Sequence, residues 1–146
     1  MQLLQVTLQN IQETAPLFDQ YRQFYNQPGD VEAAIAFLSA RIGNNESIIF
    51  LAKVDNQPAG FVQLYPTFSS VSMKKAFILN DLYVDKHFRG LGVGQALIEK
   101  CYHVCEQEQA RYLILQTAPD NEIAKRLYEK MGMEIDYEFD SYIKYF

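Results

Sequence analysis

Between a strongly apolar run, Ala76 to Val84, and an amphipathic segment that opens near Gly92, the chain reads Arg89-Gly90-Leu91-Gly92-Val93-Gly94. A helix leaves its first four backbone N–H groups unpaired and carries roughly half a positive charge at that end, so a loop without side-chain bulk lets an anion approach those donors. Three glycines within five residues give that access, and Arg89 adds a permanent guanidinium at the loop mouth, suited to a diphosphate or a ribose phosphate. Other anion loops do not fit the letters. A Walker A loop needs Gly-Lys-Ser/Thr before its helix, whereas Gly94 is followed by Gln95 and Ala96; a dinucleotide fingerprint begun at Gly90 would need a glycine where Gln95 stands. The helix that follows, to about Gln109, stacks Leu97, Cys101, Val104 and Cys105 on one stripe and leads into the run Tyr112 to Gln116, which reads as a strand. Strand, loop, helix and strand make a βαβ unit, which commits the fold to a parallel strand pair.

The rest of the chain arranges itself around that unit. Leu3 to Leu8 reads as a strand; Leu17, Phe18, Tyr21, Phe24 and Tyr25 recur at helical spacing, with Pro16 marking a start or a kink. After the turn Asn26-Gln27-Pro28-Gly29, Asp30 is placed to cap a second helix presenting Val31, Ala34, Ile35, Leu38 and Ile42 and stopping at Gly43. Ser47 to Val54 and Ala59 to Tyr65 form an antiparallel hairpin about Asp55-Asn56-Gln57-Pro58, and the polar stretch Thr67 to Lys74 reads as a loop on the substrate side. A helix from Asp120 or Asn121, carrying Ile123, Leu127, Tyr128 and Met131, ends at Gly132, and Glu134 to Phe146 alternates as one or two final strands. Neither an internal repeat nor an interdomain linker interrupts the 146 residues, so a single domain of mixed α/β type is expected.

Composition narrows the function classes. Lys+Arg 13 against Asp+Glu 18 leaves a net charge of −5, which argues against nucleic acid as the main partner. No run approaches the roughly 18 apolar residues of a membrane span, and a cytoplasmic location is expected. Cys101, His103 and Cys105 do not suggest a metal site: positions 101 and 105 share a helix face, from which 103 is rotated by about 200°. Both cysteines fall on the apolar stripe and read as core. His87 lies beside the glycine loop as a solvated residue or minor anion contact, and Lys74, Lys75 and Lys86 are candidates for a further phosphate.

Here the chain resembles the GCN5-related N-acetyltransferase (GNAT) superfamily. Arg89, Gly92 and Gly94 match its signature Gln/Arg-x-x-Gly-x-Gly/Ala, and Asn121, Ala124, Leu127, Tyr128 and Gly132 match its Asn-x-x-Ala-x-x-Leu-Tyr-x-x-x-Gly-Phe block, with Met133 in place of Phe. The resemblance covers nearly the whole chain and implies a twisted mixed sheet of about six to seven strands flanked by about four helices. It further implies acetyl-CoA as cosubstrate and direct transfer of the acetyl group to an amine. The pyrophosphate would be held by backbone N–H groups of Arg89, Gly90, Leu91, Gly92, Val93, Gly94 and Gln95. By position in the family, Leu82, Tyr83 and Val84 would pair with the pantetheine arm between two splayed parallel strands, Asn121 would contact that arm, and Ala124 would pack beside it. Tyr128 would place its hydroxyl near the sulfur as general acid, because a departing thiolate needs a proton donor within hydrogen-bond reach.

The acceptor side is less defined. A Lys-like amine has a pKa near 10.4 and arrives protonated, so the site also needs a proton acceptor. Asn80 and Asp81 precede Leu82 on the apolar strand, and alternation puts them on opposite faces. Asp81 reads as a base, as an anchor for a cationic substrate, or as a plain surface carboxylate. The stretch Leu79 to Val84 is similar to the diamine and polyamine branch of the superfamily, where a Glu commonly precedes the Asp; Asn80 departs from that pattern, and an amide accepts no proton at neutral pH. Tyr21, Arg22, Tyr25 and the tail tyrosines are candidate walls of an acceptor pocket. The expected acceptor is a small-molecule primary amine, with a protein amine as the alternative and a non-catalytic acyl-CoA-binding role as the third reading. A homodimer is expected from the resemblance.

Overall fold

The computed structural model describes residues 1–146, which fall into two compact units, Met1–Gln116 and Thr117–Phe146. The first contains strand β1 (Gln2–Gln5), helices α1 (Ile11–Phe24) and α2 (Val31–Gly43), strands β2 (Ile48–Val54), β3 (Gln57–Ser69) and β4 (Lys74–Val84), helix α3 (Val93–Gln107) and strand β5 (Leu113–Ile114). A short 3-10 turn, Lys86–Phe88, joins β4 to the glycine loop. The strands form one sheet in the order β1-β2-β3-β4-β5, antiparallel throughout except for the parallel β4–β5 pair that the βαβ unit demands. The sheet is mixed, as expected, with five strands where six to seven were anticipated.

Local chemistry accounts for the joints. Asp55 and Asn56 both adopt positive φ, 49° and 62°, the backbone of a tight hairpin turn whose twist matches its strands. The Asp30 side chain accepts the Ala33 N–H at 3.0 Å, capping α2 as the sequence predicts. Asp19, 6% exposed, accepts the Asp30 N–H at 2.7 Å and Gln23 Nε2 at 3.0 Å, so this buried acid fastens α1 to the start of α2. Helix α1 runs through Pro16.

The central strands are buried on both faces, with continuous buried runs at 49–52 and 59–64. Ile49, Leu51 and Phe61 pack with Val6, Ile11, Ala15, Leu17, Phe18, Ala34 and Leu38 in the core under α1 and α2. Helix α3 packs against β2, β3 and β4 with Val93, Leu97, Ile98, Cys101 and Val104 buried. Both cysteines are free, and burial followed by the neighbouring Cys105 pushes the Cys101 thiol up to about 12, the behaviour of a core hydrophobe.

Two expectations are corrected. Thr67 to Lys74 is not a free loop: β3 and β4 stay paired out to Ser69↔Lys74, so only the hairpin tip between them is unpaired. Thr67 pairs with Ala76 and Phe68 with Lys75, because polar β-branched and serine residues sit in a ladder as readily as in a loop. The second unit holds α4 (Glu122–Lys130) and no strand, so Glu134 to Phe146 does not form the expected final strands. Within that unit no second extended segment offers backbone partners, and Asp136 accepts the Glu138 N–H at 2.9 Å, turning the chain locally. Gly132, at φ 84°, ends α4 as predicted, with the Met133 N–H returning to the Tyr128 carbonyl at 2.9 Å. No helix is long and apolar enough to cross a membrane.

One position tolerates no side chain. A Cβ on Gly60 of β3 would stand 2.7 Å from the Tyr83 carbonyl oxygen and 3.1 Å from Val93 Cγ1. Gly60→Ala should therefore cost about 1–3 kcal/mol through forced backbone shifts. Circular dichroism melts should show a lowered Tm, and an unchanged Tm would contradict this packing.

Candidate active site

The sheet register builds the acceptor side. β3 and β4 pair Gln63 with Asp81 and then Leu64 with Leu79, so Asn80 is an extra residue, a β-bulge at the middle of β4. Asn80 is exposed, whereas Asp81 is 4% exposed and faces α1. Its carboxylate accepts Gln63 Nε2 at 2.5 Å, Asn80 Nδ2 at 3.1 Å and the Tyr21 hydroxyl. These are neutral donors, and no lysine, arginine or histidine pairs with it. Burial accordingly pushes the Asp81 carboxyl above the ordinary carboxylate range, and the hydrogen bonds from Gln63, Tyr21 and Asn80 hold it back only in part.

Aromatic rings gather around Tyr21. Tyr21 makes edge contacts with Tyr25 at 5.1 Å, Phe61 at 6.0 Å and Tyr83 at 6.5 Å between centroids, and its hydroxyl lies 3.4 Å from the Asn80 carbonyl oxygen. The Tyr83 hydroxyl donates to Gln20 Oε1 at 3.2 Å. Burial, then the Asp81 charge, drives the Tyr21 phenol well above its usual value and pushes Tyr65 up to about 12, Arg41 opposing the latter. Both phenols stay protonated donors at neutral pH. Of the predicted acceptor residues, the structure thus brings Tyr21, Tyr25, Asn80 and Asp81 together. Gln63 and Tyr65 went unread in the sequence. The signal was there in alternation: Phe61, Gln63 and Tyr65 share one face of β3, so an amide had to be buried.

The glycine loop forms the other half. Gly90 and Gly92 adopt φ of 78° and 80°, a conformation that side chains disfavour, and a Cβ on either would meet nothing within 4 Å. The first helical bond of α3 runs from the Ala96 N–H to the Gly92 carbonyl at 3.0 Å, so the N–H groups of Val93, Gly94 and Gln95 have no acceptor in the helix. No side chain caps this end, in contrast to α2 and α4. Arg89 Nε donates to the Val84 carbonyl at 3.0 Å and its guanidinium stands 5.9 Å from the Tyr83 ring, which fastens the loop to the end of β4. The β4–β5 pairing spans only Phe77↔Leu113 and Ile78↔Ile114, so Leu82, Tyr83 and Val84 have no β5 partner. An uncapped helix start beside an unpaired strand end suits a ligand with a phosphate head and an amide-bearing arm, which is the chemistry of coenzyme A.

Other candidates are spoken for. Lys75 Nζ lies 3.2 Å from Glu108 Oε2, an ion pair on the surface. His87 closes a small turn with Asp85, whose carboxylate takes the His87 N–H at 2.8 Å and lies 2.8 Å from Nδ1; the backbone bond is the main reason the Asp85 carboxyl is lowered. In the second unit the Asn121 side chain accepts the Ala124 N–H at 3.3 Å and starts α4, on which Tyr128 is half-buried.

Residues 12–133 match the acetyltransferase (GNAT) family. The "Uncharacterized N-acetyltransferase YhfO" of Bacillus subtilis (strain 168) is 46% identical over 142 residues, 97% of this chain and 95% of that protein. A probable acetyltransferase of Haemophilus influenzae is 35% identical over 119 residues, 81% of this chain and 82% of that protein. A crystal structure of a probable acetyltransferase, 37% identical, matches 100% of this chain and 98% of that one with a TM-score of 0.95. The chain belongs to the GNAT family and is an acetyl-CoA-dependent N-acetyltransferase.

A buried carboxylate without a cation costs stability. Because its folded-state pKa is raised, the folded protein holds the Asp81 proton more tightly than the unfolded chain does. Stability from this group is greatest below the unfolded value and is lost as pH rises through the folded one. Asp81→Asn should therefore raise Tm at pH 7 by about 2–5 °C, with the gain vanishing toward pH 3. Melts across pH test the sign, and a variant less stable at every pH would refute it.

Proposed function

We propose that the enzyme moves the acetyl group directly from acetyl-CoA to the primary amine of a small organic cation, with Asp81 as base and Tyr128 as general acid. The observation that carries this reading is the buried Asp81 carboxylate, satisfied by neutral donors alone and lying beside Tyr21, whose ring packs against Tyr25, Phe61 and Tyr83. A protonated amine supplies the missing positive charge, and aromatic faces stabilise it further.

Acetyl-CoA, when bound, supplies a thioester whose carbonyl carbon takes the attack. The N–H groups of Val93, Gly94 and Gln95 and the glycine backbone before them would hold its pyrophosphate, and the edge of Leu82 to Val84 that β5 leaves uncovered would receive its pantetheine arm. Asn121 and Ala124 are assigned to that arm through the matched family motif. Asp81 takes one proton from the ammonium, freeing the lone pair that forms the C–N bond. As the C–S bond breaks, the Tyr128 hydroxyl gives its proton to the sulfur and recovers one from the nitrogen, leaving amide and free thiol. Exposed at the bulge, Asn80 faces the acceptor and contributes hydrogen bonds where the polyamine branch has a carboxylate, which favours an acceptor with fewer positive charges than a polyamine. The same reading carries a single catalytic domain, a cytoplasmic location and a homodimer as expectations from the family resemblance.

Thiol release from acetyl-CoA across a panel of monoamines, polyamines, amino acids, aminoglycosides and short peptides tests the acceptor. A response confined to peptides would overturn the small-molecule reading. Tyr128→Phe should lower kcat by about 100-fold or more while acetyl-CoA affinity stays nearly intact. An unchanged kcat would remove Tyr128 from the mechanism. Gly92→Val should instead weaken acetyl-CoA binding, since it strains the loop and fills the space before the helix, as calorimetry with coenzyme A can show.

A further inference from the structure

We infer that Gln63 is a positioning residue for Asp81, its amide serving the carboxylate through one end and the protonated acid through the other. The inference rests on the reading of Asp81 as base. Gln63 is 0% exposed and sits directly across the ladder from Asp81, at the bulge. Its Nε2 donates to Asp81 Oδ2 at 2.5 Å, while its Oε1 is buried without a hydrogen-bond partner.

Such an orphaned acceptor is costly, and an apolar side chain of the same length would avoid it. What a primary amide offers in return is two faces. While Asp81 is ionised it can only accept, and the NH2 end of Gln63 meets it. Once Asp81 has taken the proton of the substrate ammonium it carries an O–H donor, and rotation of the amide about its terminal bond brings Oε1 to that hydrogen. Each protonation state of Asp81 then has a matched partner, so the proton arrives and leaves without stranding the carboxyl itself.

The other groups facing Asp81 differ in their surroundings. The Tyr21 hydroxyl, on α1, also reaches the Asn80 carbonyl at 3.4 Å, and the amide of Asn80, next to Asp81 on β4, is exposed, so solvent can meet whichever of its ends Asp81 leaves. Tyr25 meets Tyr21 rather than the carboxylate. Tyr65, on β3, feels the Asp81 charge, and Arg41 of α2 is engaged with Glu46 at 3.5 Å and with the Phe37 ring.

The test replaces Gln63 with Met, close in shape but without hydrogen bonds, and follows the Asp81 carboxyl carbon by NMR across pH alongside the pH profile of kcat/KM. In Gln63→Met the midpoint should move upward by about one pH unit, because of the two bonds lost the charge-assisted one to the carboxylate is the stronger. The acidic limb of kcat/KM should move with it, while KM for acetyl-CoA holds. If Gln63→Met does not fold, Gln63→Leu carries the same test, since it too removes both ends of the amide without adding a charge. An unmoved midpoint with kcat reduced evenly at all pH values would make Gln63 a packing residue and overturn the inference. The NMR midpoint decides Gln63 without any acceptor; wild-type kcat in Asp81→Asn would separately overturn the base assignment.

Discussion

The close approach of β3, β4 and the Val93 side chain at Gly60 governs the rest of the molecule. There β3 runs so near the Tyr83 carbonyl and the first residue of α3 that no side chain fits between them. Two consequences follow from one missing Cβ. The end of β4 is held in register with β3 through Phe61↔Tyr83 and Gly60↔Val84, which sets the face on which Asp81 lies two residues earlier. The start of α3 is drawn against the sheet through Val93, which aims its unpaired N–H groups along the edge where β4 leaves β5. Asp81 and the glycine loop are thus fixed to a common point of the sheet instead of resting on independent loops, and rigid placement is what acyl transfer requires of its reacting groups.

The acceptor side shows the opposite economy. Asp81 is buried among neutral donors, Gln63 keeps an unsatisfied oxygen, and Asn80 breaks the ladder. Each feature costs folding stability, and all three lie within a few residues of one another on β3 and β4. Asp19, the other buried aspartate, has by contrast a backbone N–H and an amide to satisfy it and joins two helices.

Much of this was legible in the sequence because it is local. The Asp30 cap, the Asp55-Asn56 turn, the glycine start of α3 and the Gly132 stop each depend on the conformational preferences of one or two residues, and the structure shows all four. What the sequence hid depends on partners. Thr67 to Lys74 looks like a loop because its residues are polar, yet the opposing strand supplies a ladder to either side of its tip. Glu134 to Phe146 alternates like a strand, but alternation states only that a segment can pair. The importance of Gln63 required knowing that Asp81 stands across from it, and one residue of bulge decides that register.

The bulge itself has an evolutionary reading. Asn80 belongs to β4 but not to the pairing of β3 with β4, since Gln63 and Leu64 skip over it to Asp81 and Leu79. A residue outside the ladder can change its charge or size while its neighbours keep their partners. Position 80 is therefore a dial: under the proposed function the contact with the acceptor can be retuned there, one substitution at a time, without disturbing the pairing of Asp81 or the glycine loop beyond.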